Sequence, residues 1–391
     1  MKRLAAWTVL ALAVVAILGI AREPPFWKRY AMSMMHGGSD LPLSFYQPRE
    51  RVQGGNLPAA PRVAPALESL DPVALQQAAD YAAAHSSRAL IVTRHGHIVF
   101  ERYWQGARFD SMVVSDSFAR TLAALLTGIA LGERRIGWPD EPIRQFIPEW
   151  KDDPRGAITV RNLVQTSSGL AEGGSLSNPW SAAARERFGA NLPVTLLESP
   201  LVTAPGQADS DRAADSQLLA LVIGRAAKER YSQYLSEALW RKIGAGDAWL
   251  WLDRDGGTAH ADCCLITRLA DLVRVGELLV NDGRYEGDEI VPPGWVHQML
   301  TPAPGSVRPG ASLSLITGAS EPFAARDLFM VAGDGHLMWL VPSMHLVILR
   351  SGPAPAGDRA HIPNLIIRGA RDYVPAQGRP GTDLSTLVPN H

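Results

Sequence analysis

The run Ser115-Asp116-Ser117-Phe118-Ala119-Arg120-Thr121, continued by LAALLTGIALGERRIG to Gly137, holds no proline, and no charge falls between Arg120 and Glu133. Phe118, Leu122, Leu125, Leu126 and Ile129 recur at helical spacing, which predicts a long helix from about Ser117 to Leu131, buried in the centre of a domain. Ser117 falls in its first turn, where free amides and the positive end of the helix dipole favour a developing anion. Arg120, three residues on, shares the face of Ser117, so hydroxyl and cation lie side by side. A capping serine followed by a solvated arginine fits the same spacing. What lies around the helix has to decide between the two.

Upstream, Ala89–Thr93 and Ile98–Tyr103 are apolar runs joined by a turn at Arg94–His97 that contains Gly96, the pattern of a β-hairpin. Before it, Val73, Leu75, Ala78, Ala79 and Ala82 predict a helix over Pro72–His85, with Asp71 as its cap. Downstream, residues 132 to 300 mix loops with helices, two of them predicted at Ser216–Ala227 and Arg268–Leu279. Strand patterns return at Leu328–Val331, Leu337–Val341 and Leu346–Arg350, and a helix is predicted at Ile362–Asp372. Strands at both ends with helices between them imply one sheet built from both termini and interrupted by a helical insertion.

Residues 22–70 are rich in proline and glycine with weak periodicity, as in a linker or an arm wrapping the domain. Residues 1–21 differ again: Lys2 and Arg3 precede an apolar run, Leu4–Ile20, whose only polar residue is Thr8. This is a signal anchor or a signal peptide, with Gly19 and Ala21 as small residues near a cut. Either places the rest of the chain in a bacterial cell envelope, in the periplasm or outside, with membrane attachment if the segment is retained. Lysine plus arginine (38) balances aspartate plus glutamate (39), and the tryptophans are scattered, so a nucleic-acid partner is not expected. The only cysteines, Cys263 and Cys264, are adjacent; no structural disulfide and no thiolate metal site are expected from them. His260 and Asp262 beside them lack the spacing of ligands on one helical face, and no metal or other cofactor is assigned.

The run around Ser117 resembles the active-site helix of the serine β-lactamase, penicillin-binding-protein and esterase superfamily. Its flavour is that of the 6-aminohexanoate-dimer hydrolase-like branch, related to class C β-lactamases. ITVRNLVQTSSGL (Ile158–Leu170) is similar to the family segment that ends in a Thr-Ser-Gly-Leu turn. Pro205-Gly206 and Asp215-Ser216-Gln217-Leu218-Leu219 resemble the second catalytic loop and the helix leaving it. LADLVRVGELLVNDGRYEGDEIVPPGWV (Leu269–Val296) looks like the family's helix, glycine turn and hairpin. Ala332-Gly333-Asp334-Gly335-His336 with LMWLVPSMHLVILRSG resembles the third catalytic strand. The resemblance spans roughly residues 75–370 in the family's order. It implies an α+β fold: a three-layer α/β/α sandwich with an antiparallel sheet from about 86–105 and 325–351, beside a mostly helical subdomain at about 132–300. The β-lactamase-related domain would run over 71–375, with a tail at 376–391.

The resemblance also assigns roles. Ser117 would be the nucleophile, and Gly333, Asp334 and Gly335 would border the oxyanion site. Where relatives carry a lysine this chain has Arg120, and where they carry the loop tyrosine it has Asp211, with Ala213 near the tyrosine's asparagine or serine partner. Arginine stays charged and cannot shuttle the proton, although it can stabilise an alkoxide. Asp211 either pairs with Arg120 or serves Ser117 as a base that Arg120 orients. His336, near where relatives carry lysine, histidine or glutamine, is either a substitute acid or base or a polar turn residue. Asp116 suits the helix N-terminus as a dipole partner. Two functions fit: a serine hydrolase that cleaves an ester or amide of a small or peptide-like substrate with an altered activation system, and a catalytically inactive, membrane-tethered binding module that keeps the cleft. Substrate choice would lie in loops such as Gly173–Leu192, and neither the substrate nor the oligomeric state is legible in the sequence.

Overall fold

The structure is a computed structural model that describes residues 23–37, 41–207, 212–300, 313–315, 325, 327–333, 335–353 and 359–372. In chain order, helix α1 (Pro24–Met35) and strand β1 (Arg49–Val52) precede α2 (Pro72–Ala84), β2 (Ala89–Arg94) and β3 (His97–Tyr103). Next come β4 (Met112–Val114), α3 (Phe118–Gly132), α4 (Ala182–Phe188) and α5 (Ala213–Ala227). Then follow β5 (Ala248–Trp251), β6 (Leu265–Arg268), α6 (Leu269–Val280) and a small hairpin of β7 (Arg284–Tyr285) and β8 (Asp288–Glu289). The chain ends in β9 (Leu313–Leu315), β10 (Phe329–Ala332), β11 (His336–Val341), β12 (Leu346–Ser351) and α7 (His361–Arg368).

The predicted sheet from both termini is present. Six strands run in the order β3-β2-β12-β11-β10-β9, every neighbour antiparallel, with β2 at the seam between N- and C-terminal strands. The three central strands β2, β12 and β11 are buried along their whole length, so they alternate between two cores rather than between core and water. Leu90, Val92, Trp339 and Ile348 meet α2 and α7 on one face. Ile91, Met338, Val347 and Leu349 join α3 and α6 in the larger core on the other. Asp71 caps α2 by accepting a hydrogen bond from the Val73 amide. The last helix stops at Arg368, short of the predicted Asp372, because the chain turns back to bridge Ala370 to Leu70.

A second antiparallel sheet, of order β1-β5-β6-β4, was not predicted from the sequence. Its strands have only three or four residues, and β1 comes from the proline- and glycine-rich arm. The arm also forms α1, which tolerates Pro24 and Pro25 because they occupy its first turn. Among the described residues no helix is long and apolar enough to cross a membrane, and the run Leu4–Ile20 lies outside them.

Helix α3 is the axis of the larger core: apart from Arg120, Leu131 and Gly132, each of its residues is buried. It sits close to Trp295, whose indole nitrogen donates to the Ala124 carbonyl at 2.9 Å. A β-carbon at Gly128 would lie 2.2 Å from Trp295 Cδ1. Gly128→Val is therefore expected to cost about 2–3 kcal/mol through overpacking, seen as a lower midpoint in chemical denaturation. An unchanged midpoint would mean that the indole can move aside freely.

Candidate active site

Strand β4 delivers the chain to Ser117. The Ser115 amide donates to the Leu265 carbonyl at 2.7 Å, and its hydroxyl bridges the Cys263 carbonyl and the Leu265 amide, both at 3.2 Å. Asp116 then turns the chain with a positive φ of 47°, a left-handed conformation that aspartate adopts more readily than most residues. Ser117 follows in a right-handed conformation as the N-cap of α3, and its hydroxyl caps no helix amide. Among the described residues Ser117 Oγ has no hydrogen bond to a carboxylate, an imidazole or an amine.

The strand predicted to border the oxyanion site does reach this turn. A β-carbon on Gly333 would lie 2.8 Å from Asp116 Cβ and 3.4 Å from the Ser117 amide nitrogen, so glycine allows the close approach. Both nearby amides are already engaged: Gly333 N–H donates to the His336 carbonyl at 2.9 Å, and Gly335 N–H donates to Asp116 Oδ2 at 3.0 Å. Asp116 thus ties the third strand to the Ser117 turn, a role beyond that of a dipole partner. Asp334 and Asp211 lie outside the described residues.

His336 is 5% exposed, with Nε2 3.1 Å from the Val114 carbonyl and its ring edge-on to Phe118. Burial lowers its pKa to about 4, which keeps the imidazole neutral. It does not line the cavity into which Ser117 opens.

That cavity, about 250 Å³, is lined by Ser117 and Arg120 together, as their shared helix face requires. It also holds Glu186, Arg187, Gln217 and Asp262. Arg120 Nε is 3.3 Å from the Asp262 carbonyl. Burial raises the pKa of the Asp262 carboxyl, with Arg187 and Arg120 pulling it back down. Glu186 is pushed up to about 7, mainly by burial. Its cation, Arg212 at 3.2 Å, is shared with Asp215 at 3.3 Å, so one guanidinium serves two carboxyls.

Asp215 is fully buried and accepts hydrogen bonds from Ser168 Oγ at 2.8 Å and the Ser168 amide at 3.2 Å. It joins the Ile158–Leu170 segment to the first turn of α5. Gln217, two residues later, holds the Ala259–Ala261 segment through the Ala259 carbonyl at 2.9 Å and the Ala261 amide at 2.7 Å. Glu186 and Arg187 were not identified from the sequence. They sit on α4, inside the loop region Gly173–Leu192, and no spacing relates them to Ser117.

One expectation is corrected. Cys263 and Cys264 are joined by a disulfide, their Cα atoms 3.7 Å apart, in the turn that leads into β6. The rule that neighbours rarely reach disulfide geometry fails here because the pair lies on that turn rather than within a strand. Cys263 lines the cavity, and Arg187 Nη1 lies 2.9 Å from Cys264 Sγ. Sequence proximity also misled in a second way: potential ligand atoms of His260, Asp262 and Cys263 do come together, all within 4.8 Å. The Cys263 sulfur is spent in the disulfide, however, and this set offers no thiolate.

Comparison with known proteins matches residues 75–346 to the family model described as Beta-lactamase. The 6-aminohexanoate-dimer hydrolase of Paenarthrobacter ureafaciens is 24% identical over 295 residues, 70% of this chain and 74% of that protein. Among solved structures, a putative 6-aminohexanoate-dimer hydrolase from Bacillus anthracis aligns with a TM-score of 0.67 at 19% identity, covering 88% of this chain and 92% of the other. A putative beta-lactamase from Bacteroides dorei aligns with a TM-score of 0.62 at 17% identity, covering 76% and 99%. With the family model covering residues 75–346, which hold the Ser117 helix and most of the large sheet, this chain belongs to the beta-lactamase family, within the serine β-lactamase and penicillin-binding-protein-like superfamily.

Proposed function

We propose that this protein hydrolyses an amide or ester of a small or peptide-like substrate by acyl transfer through Ser117. The observation that carries the proposal is the sharing of one cavity by Ser117, Arg120 and two partly buried carboxyls, Glu186 and Asp262, whose pKa values are raised. A carboxylate tuned toward neutrality is a competent general base, and burial supplies that tuning. Ser117 Oγ attacks the substrate carbonyl and gives its proton to the Glu186 carboxylate, directly or through a water. Arg120 stabilises the alkoxide and remains charged throughout. The protonated carboxyl then donates to the leaving amine or alcohol, and water attacks the acyl-enzyme with the same residue as base. Arg120 and Asp211 stand in the sequence where relatives carry lysine and tyrosine, and this scheme transfers the proton-shuttling role to the cavity carboxyl. The apolar run Leu4–Ile20 would tether the enzyme to a membrane, or export it if cut, with the domain in the periplasm or outside.

Intact-mass labelling with a fluorophosphonate tests the proposal. A stoichiometric adduct is expected that disappears in Ser117→Ala. Its rate should rise with pH through about 7, since the base acts only when deprotonated. Glu186→Gln should remove that step and slow labelling by about 10²-fold or more. Failure of the folded protein to react would reject the hydrolase.

The engaged amides favour a second reading, a binding module that keeps the cavity without acylation. With Gly335 N–H held by Asp116 and Gly333 N–H by the His336 carbonyl, neither is free to receive an oxyanion. The same experiment separates the two, for only the hydrolase forms the adduct.

A further inference from the structure

Helix α1 turns a charge inward and apolar side chains outward. Its buried residues are Phe26, Arg29 and Ser33. Trp27, Ala31, Met34 and Met35 recur at helical spacing along another stripe and are exposed or half-exposed, Met35 by 76%. Beside them the loop before α4 presents Leu176 and Trp180, 45% and 67% exposed. The two parts form one surface: the Trp27 and Trp180 rings meet edge to face with centroids 5.6 Å apart, and the Tyr30 hydroxyl donates to the Ser177 carbonyl. Apolar side chains exposed singly are ordinary, but a gathered set marks a surface that meets something other than water.

The inward Arg29 fixes how that surface is held. Its Nη1 donates to the carbonyls of Phe188, Gly189 and Asp253, and its Nη2 to those of Gln47 and Leu252. The helix is thereby locked to the end of α4 and to the chain leaving β5, rather than trailing as a linker. Pro24, its first residue, comes four residues after Ile20, the last of the apolar run Leu4–Ile20. Four residues of extended chain reach at most about 14 Å. The polar layer on each side of a bilayer's hydrocarbon core is about 5–8 Å deep, so a run seated in the membrane holds the start of α1 at that layer or just outside it. Tryptophan favours this level, where its ring meets acyl chains and its N–H meets water. Lys28, exposed next to Trp27, supplies a positive charge for lipid phosphates.

We propose that the surface formed by Trp27, Ala31, Met34 and Met35 of α1 with Leu176 and Trp180 rests in the headgroup layer of a lipid bilayer, an inference that builds on the reading of Leu4–Ile20 as a membrane tether. A tether alone leaves the domain free to turn. A seated surface gives it one orientation, with the Leu176 wall of the Ser117 cavity toward the lipid.

Lipid photo-crosslinking of the full chain tests this. The protein is reconstituted into phosphatidylethanolamine and phosphatidylglycerol vesicles carrying a trace of phosphatidylcholine with a diazirine near its headgroup, irradiated, digested and mapped by mass spectrometry. Adducts are expected on the peptides that hold α1 and Leu176–Trp180, several-fold above those on the peptide with Trp138, which is 53% exposed beyond the far end of α3. Trp180→Glu combined with Met35→Glu, both at exposed positions that tolerate substitution, should lower the adducts on both peptides several-fold and leave those on residues 4–20 unchanged. Adducts confined to residues 4–20 would overturn the seated surface while keeping the tether, and adducts nowhere on the chain would overturn both. Equal labelling of the Trp138 and Trp180 peptides would also overturn it. So would a dimer in detergent that the double variant dissociates, with no lipid adducts on these peptides, which would assign the surface to a second copy. Fluorophosphonate labelling of Ser117 reports on the hydrolase alone, so that reading can fail separately.

Discussion

Asp215→Ala is expected to destabilise the protein by about 3–5 kcal/mol, the range for removing one partner of a buried ion pair. The carboxylate is fully buried and accepts from the Ser168 hydroxyl, the Ser168 amide and Arg212. Its loss leaves two Ser168 donors unsatisfied and Arg212, among the described residues, with Glu186 and Ser199. Asp215→Asn separates the contributions, because it keeps an acceptor for Ser168 and removes only the charge; it should lose clearly less than alanine. Urea denaturation measures both. A loss below about 1 kcal/mol for alanine would show that water replaces the carboxylate and that the region is wetter than its burial indicates. A coupled effect is expected at the cavity. With Arg212 no longer shared, Glu186 should ionise more readily, and the pH midpoint of Ser117 labelling should fall below that of the wild type.

Glu277→Gln should give the second large effect, of opposite sign and dependent on pH. Glu277 is raised from 4.5 in its unperturbed form to about 7 in the folded protein, chiefly by burial. The folded state therefore holds this proton more tightly than the unfolded state. The stability linked to the neutral carboxyl is fully present below about pH 4.5 and is lost as pH rises through about 7, a swing of about 3 kcal/mol. Glutamine cannot ionise and escapes that loss. The variant should match the wild type below about pH 4.5, draw ahead as pH rises from there, and exceed it by up to that amount above neutrality. Glu186 titrates in the same window, but it is present in both proteins and cancels in the difference. Thermal midpoints measured across that range would reveal the divergence. A constant offset would mean that Glu277 does not titrate there.

The sequence reveals the sheet and its central helix because those elements are long and strongly patterned. The hairpin of β2 and β3 and the Ser117 helix are legible from apolar periodicity and from the turn at Gly96. The C-terminal strands, buried on both faces, appear as near-continuous apolar runs. The second sheet is hidden because Ala-Trp-Leu-Trp in β5 and Met-Val-Val in β4 are too short to carry a period. Helix α1 is hidden by the prolines and glycines around it. Ser117, Arg120, Gly333 and Gly335 are legible because a motif orders them along the chain; Gly333 and Gly335 come up against the Asp116–Ser117 turn, and Arg120 lines the same cavity as Ser117. Glu186, Arg187 and Asp262 come from a loop-borne helix and a remote turn, and only tertiary packing brings them to Ser117. The cysteine pair shows the limit of a geometric rule applied without the local backbone.

Strand β1 pairs along β5 from Arg49 opposite Trp251 to Val52 opposite Ala248, and it forms the outer edge of the second sheet. Its side chains include Arg49, Glu50 and Arg51, whereas β5 behind it reads Ala-Trp-Leu-Trp. A charged border strand resists joining another molecule's sheet, and an apolar one invites it. A chain that began after Val52 would leave β5 as the border, with its free backbone amides and carbonyls beside two tryptophans. The arm is therefore expected to shield β5 from pairing with another molecule, and shortening it to simplify purification is expected to raise the tendency to aggregate.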